Sequence, residues 1–199
     1  MTDWLIASNN RYKTADLIAC LNLVGITAKP YTDDWSPLTF PVETTASYAD
    51  NARLKAQFLA QVTGEPVIAD DSGIEVPYLG DKLGVTTKRY LQQDAQHSAN
   101  ETLLLALTDA PENERTATMT CTLCAVFPDK EPVMANGSVD GVIALAERGM
   151  YSSGFDKLFE LTARHQTLAE LTDDVRLPLT HRGQAARQLA QALQKREGK

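Results

Sequence analysis

Apolar and polar positions along the chain alternate between a strand-like and a helix-like period, and their order predicts an α/β fold. Residues 4–8, Trp4-Leu5-Ile6-Ala7-Ser8, read as a buried strand. Leu17, Ile18, Leu21 and Val24 then share one face of a helix that Gly25 stops. Residues 26–31 form a second strand, followed by a loop over 32–41 rich in Pro and Asp. Ser47 to Asp50 has the form of a capping box, opening a helix with Ala52, Ala56, Leu59 and Ala60 inward and Gly64 at its end. Pro66-Val67-Ile68-Ala69 is a short apolar run suited to a buried strand, and residues 74–90 are irregular. A second capping box, Ser98 to Glu101, heads a helix carrying Leu103, Leu104 and Leu107. Met119, Cys121, Leu123, Ala125 and Phe127 alternate with Thr118, Thr120, Thr122 and Cys124 in the clearest strand of the sequence. Residues 128–132 turn that strand back onto 133–145 as an antiparallel partner. His181 and Arg182 precede a last helix with Ala186, Leu189, Ala190 and Leu193. Strand–helix units early and a hairpin late imply a mixed sheet in one domain of two lobes.

The run at 66–69 ends in Asp70-Asp71-Ser72-Gly73. Side chains alternate across a strand, so the two carboxylates point to opposite sides if the strand continues through them, and one of them faces a cleft. Two like charges at the mouth of an apolar strand need hydrogen bonds, solvent or a cation, and a hard ion such as Mg²⁺ is the natural partner. The alternative is a solvated turn, since Asp, Ser and Gly are ordinary turn residues. Upstream, Asn10 and Lys13 fall at a helix start, where free N–H groups and the dipole favour an anion. Asn51 and Lys55, four residues apart, share a helix face.

Composition narrows the function. The 199 residues are 43% hydrophobic and 23% charged, ordinary for a globular domain that buries most of its chain surface. A net charge of −7 disfavours a nucleic-acid polymer as partner while leaving room for a small phosphorylated ligand. The three cysteines are an odd count, and the Cys121-Thr-Leu-Cys124 spacing sits in a strand pattern without a second pair, so structural cysteines are expected. The N-terminus has no basic region leading into an apolar core and no apolar run approaches about 20 residues, which makes a cytoplasmic location without membrane contact the expectation. Disorder is expected only over the tail, 195–199.

Taken in order, five motifs resemble one family. They are Ala7-Ser8-Asn9-Asn10-x-x-Lys13, Glu43-Thr44 followed by Asp50-Asn51-Ala52-x-x-Lys55-Ala56, Ala69-Asp70-Asp71-Ser72-Gly73-x-Glu75-Val76, Gly154-Phe155-Asp156, and Thr180-His181-Arg182-Gly183. The family is the inosine and xanthosine triphosphate pyrophosphatases, and the resemblance covers essentially the whole chain. It implies an elongated two-lobed α/β fold around a long mixed β-sheet with a central active-site cleft, and a homodimer. The implied reaction is hydrolysis of a non-standard purine nucleoside triphosphate between the α- and β-phosphates. A triphosphate carries about four negative charges, so attack by water calls for a cation on the phosphoryl oxygens and a carboxylate to hold and deprotonate the water. By matching positions, Glu43 and Asp71 hold Mg²⁺, with Asp71 also the base and Asp70 in support. Ser8, Asn10, Lys13 and Lys55 bind the phosphate chain. Ser72, Phe155, Asp156, Arg176, His181 and Arg182 fall on the base side.

The departures also fall on the base side. Where the family has Gly-Gly-Phe-Gly-Tyr-Asp-Pro, this chain has Tyr151-Ser152-Ser153-Gly154-Phe155-Asp156-Lys157, so the aromatic expected to stack on the purine is Ser153, with Tyr151 or Phe155 as substitutes. The family's lysine five residues before the histidine is Arg176, and its serine is Thr180. Two alternatives follow: the same chemistry on a different base, or a nucleotide-binding protein without turnover.

Overall fold

The computed structural model describes residues 3–43, 47–91, 96–128 and 130–197. Seven strands form one mixed sheet in the order β2-β1-β3-β4-β5-β6-β7, where β1 is Trp4–Ile6, β2 Ala28–Pro30, β3 Val67–Glu75, β4 Thr116–Phe127, β5 Lys130–Ile143, β6 Phe159–Leu161 and β7 Gln166–Thr167. β1 lies parallel to both β2 and β3, pairing Leu5 with Lys29 and with Val67. β5, β6 and β7 run antiparallel, with Ile143 opposite Phe159 and Glu160 opposite Thr167. The β4–β5 hairpin is antiparallel too, because Thr118 bonds Asp140 while Thr122, further along, bonds Asn136, closer to the turn. The helices are α1 (Arg11–Asn22), α2 (Tyr48–Thr63), α3 (Thr87–Leu91), α4 (Ala99–Ala106), α5 (Asp173–Arg176) and α6 (His181–Glu197). Among the described residues, no helix is long and apolar enough to cross a membrane.

Two compact units divide the chain. The first comprises Met1–Asp71, Cys121–Gly137 and His181–Lys199, and the second Ser72–Thr120 and Ser138–Thr180. In the first, Leu5, Val67 and Ala69 of the parallel strands and Ala7 just beyond β1 pack with Ala52, Ala56, Leu59 and Ala60 of α2, and α1 packs on α6. The small residues on α2 let the helix lie close to the sheet. Gly137 in β5 serves a similar end. A Cβ there would stand 2.3 Å from the backbone nitrogen of Ala185 and 2.3 Å from the carbonyl oxygen of His181, so only glycine lets the first turn of α6 sit down on the strand. The second unit has its own core, built on Ile74, Val76, Leu103, Leu107, Met119, Phe159 and Leu168. There the buried Arg115 donates to three neutral acceptors, the carbonyls of Leu107, Ile143 and Ala144, at 2.8–3.1 Å.

Capping signals translate directly. Asn10 caps α1 by accepting from the Lys13 N–H, Ser47 caps α2 by accepting from the Asp50 N–H, and Ser98 with Glu101 completes a capping box on α4. Gly64 ends α2 in the left-handed region at φ 73°. Other expectations need correction. The first strand stops at Ile6, and α1 ends at Asn22, short of Val24. The turn imagined at Asp70-Asp71-Ser72-Gly73 is strand throughout. The alternation in β4 holds to Met119, after which residues 121–126 are buried on both faces, as a central strand covered by helices must be. His181 and Arg182 are the first residues of α6, and that helix continues through the supposed tail to Glu197. The three cysteines are free and buried. Burial pushes the Cys121 thiol far up and that of Cys124 to about 11, which suits packing and not redox chemistry.

Candidate active site

β3 carries the chemistry because its register separates two buried carboxylates. Asp70 and Asp71 are 4% and 8% exposed, and strand geometry sends them to opposite faces. Asp71 meets α2: Asn51 Nδ2 donates to Asp71 Oδ2 at 2.9 Å, and Lys55 Nζ lies 3.6 Å from Oδ1. The same ammonium donates to Glu43 Oε1 at 2.8 Å. One cationic centre thus gathers two carboxylates far apart in sequence. Burial pushes Asp71 above the ordinary carboxylate range, with Glu43 and Asp70 adding to the shift and Lys55 and Asn51 opposing it. Burial pulls Lys55 down, but Asp70, Asp71 and the bond to Glu43 together leave it raised.

Asp70 meets a different set. Burial pushes it up, yet Lys13, Arg182, Lys55 and His181 hold it at about 2. Arg182 Nε is 3.6 Å from Asp70 Oδ2, and Arg182 Nη1 is 3.4 Å from Asp16 Oδ2 on α1. Lys13 is lowered by its own burial, with Arg182 and Lys55 adding to the effect against Asp70 and Asp71. Its backbone stands in the first turn of α1, where Ser8 Oγ accepts from the Asn10 N–H at 3.1 Å and Asn10 Oδ1 accepts from the Lys13 N–H at 3.1 Å. The first unit therefore brings together Ser8, Asn10, Lys13, Glu43, Lys55, Asp71, His181 and Arg182. Arg182 and His181, expected on the base side, stand with the Asp70 and Lys13 group. Thr44 lies outside the described residues.

The second unit holds Ser72, Phe155, Asp156 and Arg176. Arg176 Nη1 donates to Asp156 Oδ2 at 2.7 Å, and Ser152 Oγ donates to the same oxygen at 2.6 Å. Arg176 Nε and Nη2 both reach Asp173 Oδ1, at 3.1 and 2.9 Å. The Asp156–Arg176 pair is buried, with side chains 11% and 6% exposed. Phe155 packs on the core of this unit, Ser72 is half-buried, and Ser153 is exposed. Asp16 and Ser152 were given no part by the sequence, and Asn51 was placed on the Lys55 face without a role. Their signals were local: Asn51 is four residues before Lys55, Asp16 three after Lys13, and Ser152 four before Asp156.

A hard divalent cation fits the Glu43–Asp71 pair. Both donors are carboxylate oxygens, they already converge on one positive charge, and Mg²⁺ ordinarily takes one or two protein carboxylates and completes its shell with water and phosphate. Among the described residues no group of three or more His, Cys, Asp or Glu is arranged to hold a metal ion.

Fold and known relatives define a hydrolase of the nucleoside triphosphate pyrophosphatase class. The chain belongs to the Ham1 family, whose model matches residues 4–192. It is 35% identical over 191 residues to a dITP/XTP pyrophosphatase of Exiguobacterium sibiricum, covering 95% of this chain and 96% of that one. It is also 32% identical over 192 residues to a dihydroneopterin triphosphate diphosphatase of Limosilactobacillus reuteri, covering 96% and 97% of the two chains. Among solved structures, a HAM1 protein from Coxiella burnetii superposes with a TM-score of 0.80 at 30% identity, over 98% of this chain and 100% of the other.

Proposed function

We propose that this enzyme hydrolyses non-standard purine nucleoside triphosphates, of the inosine and xanthosine type, to the monophosphate and pyrophosphate with Mg²⁺. The observation that carries the reading is the shared contact of Glu43 and Asp71 with Lys55. Glu43 and Asp71 would hold the Mg²⁺, which when bound supplies charge neutralisation on the phosphoryl oxygens. Asp71 takes the proton of the attacking water, and Asn51 fixes the orientation of its carboxylate. Lys13, Lys55 and the N–H groups at the start of α1, framed by Ser8 and Asn10, bind the phosphate chain and offset the charge that grows on the leaving pyrophosphate. An anion beside Lys13 restores the charged ammonium that burial disfavours. Asp156 and Arg176, with Phe155 and Ser72 of the same unit, serve the base, while His181 and Arg182 act with Asp70 and Lys13. Homodimer assembly belongs to the same reading and rests on the family resemblance.

A second reading keeps the chemistry and changes the ring. Ser153, Arg176 and Thr180 all depart from the family pattern on the base side, and a relative of similar identity is a dihydroneopterin triphosphate diphosphatase. The test is pyrophosphate release from a panel of inosine, xanthosine, adenosine, guanosine and dihydroneopterin triphosphates, with Mg²⁺ and with chelator. The first reading expects Mg²⁺-dependent release fastest from the inosine and xanthosine compounds. Fastest release from the pteridine would favour the second reading, and no release from any member would defeat both.

A further inference from the structure

The loop over 31–41 carries no regular strand, yet it is the segment that leads into Glu43, so something else must fix its course. Tyr31 is fully buried, and its hydroxyl accepts from the Leu38 N–H at 2.7 Å while donating to Asn9 Oδ1 at 2.5 Å. Asn9 Nδ2 in turn donates to the Leu38 carbonyl at 2.9 Å. Both backbone groups of Leu38 are thus paired by side chains, as a neighbouring strand would pair them. The Tyr31 ring also meets Phe40 edge to face at 5.7 Å, and Phe40 meets Phe58 of α2 at 5.6 Å. Three residues after Phe40, Glu43 reaches Lys55 on that same helix. Asn9 adjoins Asn10, the cap of α1.

We propose that Tyr31 is a positioning residue. Its hydroxyl and ring, acting through Asn9, Leu38 and Phe40, fasten the 38–43 segment between the start of α1 and the face of α2, and so hold the Glu43 carboxylate where Asp71 can share its cation. This rests on the proposed reading in giving Glu43 a metal to hold. Its consequence is that a buried hydroxyl bonded to Asn9 and Leu38 governs metal affinity. Outer partners of metal ligands typically govern about 10- to 100-fold in affinity.

The experiment compares wild type, Tyr31→Phe, Asn9→Ala and, as a stability control, Val126→Ala, which trims the core of the same unit. Mn²⁺ binding is followed by calorimetry and amide exchange over residues 36–43 by mass spectrometry. Tyr31→Phe and Asn9→Ala should each weaken Mn²⁺ about tenfold or more and speed exchange over 36–43, while Val126→Ala changes neither, even at matched loss of melting temperature. Unchanged exchange over 36–43 in both variants overturns the proposal, as does wild-type Mn²⁺ affinity in both. Absence of Mn²⁺ binding by the wild type would defeat the metal reading, and the exchange result would still decide whether Tyr31 fastens the segment.

Discussion

Asp71→Asn lowers pyrophosphate release by about a thousandfold, the range expected for loss of a positioned general base, while the protein melts at or slightly above the wild-type temperature. The two halves of that result have one cause. Burial pushes Asp71 up, so at neutral pH the folded protein holds a carboxylate that would be easier to ionise in the unfolded chain. Replacing it with a neutral isostere removes that cost, and the amide oxygen still accepts from Asn51 Nδ2, now 2.9 Å from Asp71 Oδ2. Activity is lost because the amide neither takes a proton nor neutralises a cation as a carboxylate does. Steady-state release measured beside a thermal melt checks both parts. A variant retaining more than a tenth of wild-type turnover removes Asp71 from the chemistry, and a sharp fall in melting temperature means its charge serves the fold.

The second large effect lies in the other unit. Arg176→Met leaves the buried Asp156 carboxylate without its guanidinium, and breaking such a pair costs about 3–5 kcal/mol. For a chain of this size that corresponds to a melting temperature lower by roughly 10 °C. The double variant Asp156→Asn with Arg176→Met should lose clearly less than the two single losses added together, because the second change removes the stranded charge. A cost below about 1 kcal/mol for Arg176→Met alone would mean that the Ser152 hydroxyl, which donates to the same Asp156 oxygen, suffices to hold the carboxylate without the guanidinium. On the proposed reading the same variant also raises KM for the nucleotide more than it lowers kcat.

What sequence reading recovered and what it missed follow from the reach of the forces involved. Asn10, Ser47 and Ser98 cap helices through bonds three residues long, and a bond that short leaves its mark in adjacent letters. The opposed faces of Asp70 and Asp71 follow from strand periodicity alone. His181 and Arg182 were harder, since a charged helix start looks solvent-facing until Gly137 lets that helix settle on β5 and carries both residues inward. Arg115 looks like a surface cation, and only the fold supplies the carbonyls of Leu107, Ile143 and Ala144 around it. Tyr31 and Asn9 are separated by a helix and a strand, so nothing local announces that they jointly bind Leu38. The convergence of Glu43 with Asp71 was suggested by resemblance, while Lys55 as the group that joins them became visible only in three dimensions.

Mn²⁺ titration of the wild type, Glu43→Gln and Asp71→Asn measures directly whether those two carboxylates act as one site. The wild type should take up one ion, with each variant at least tenfold weaker, as expected when one of two charged donors is lost. Wild-type affinity in either variant would show that the two side chains do not share a cation.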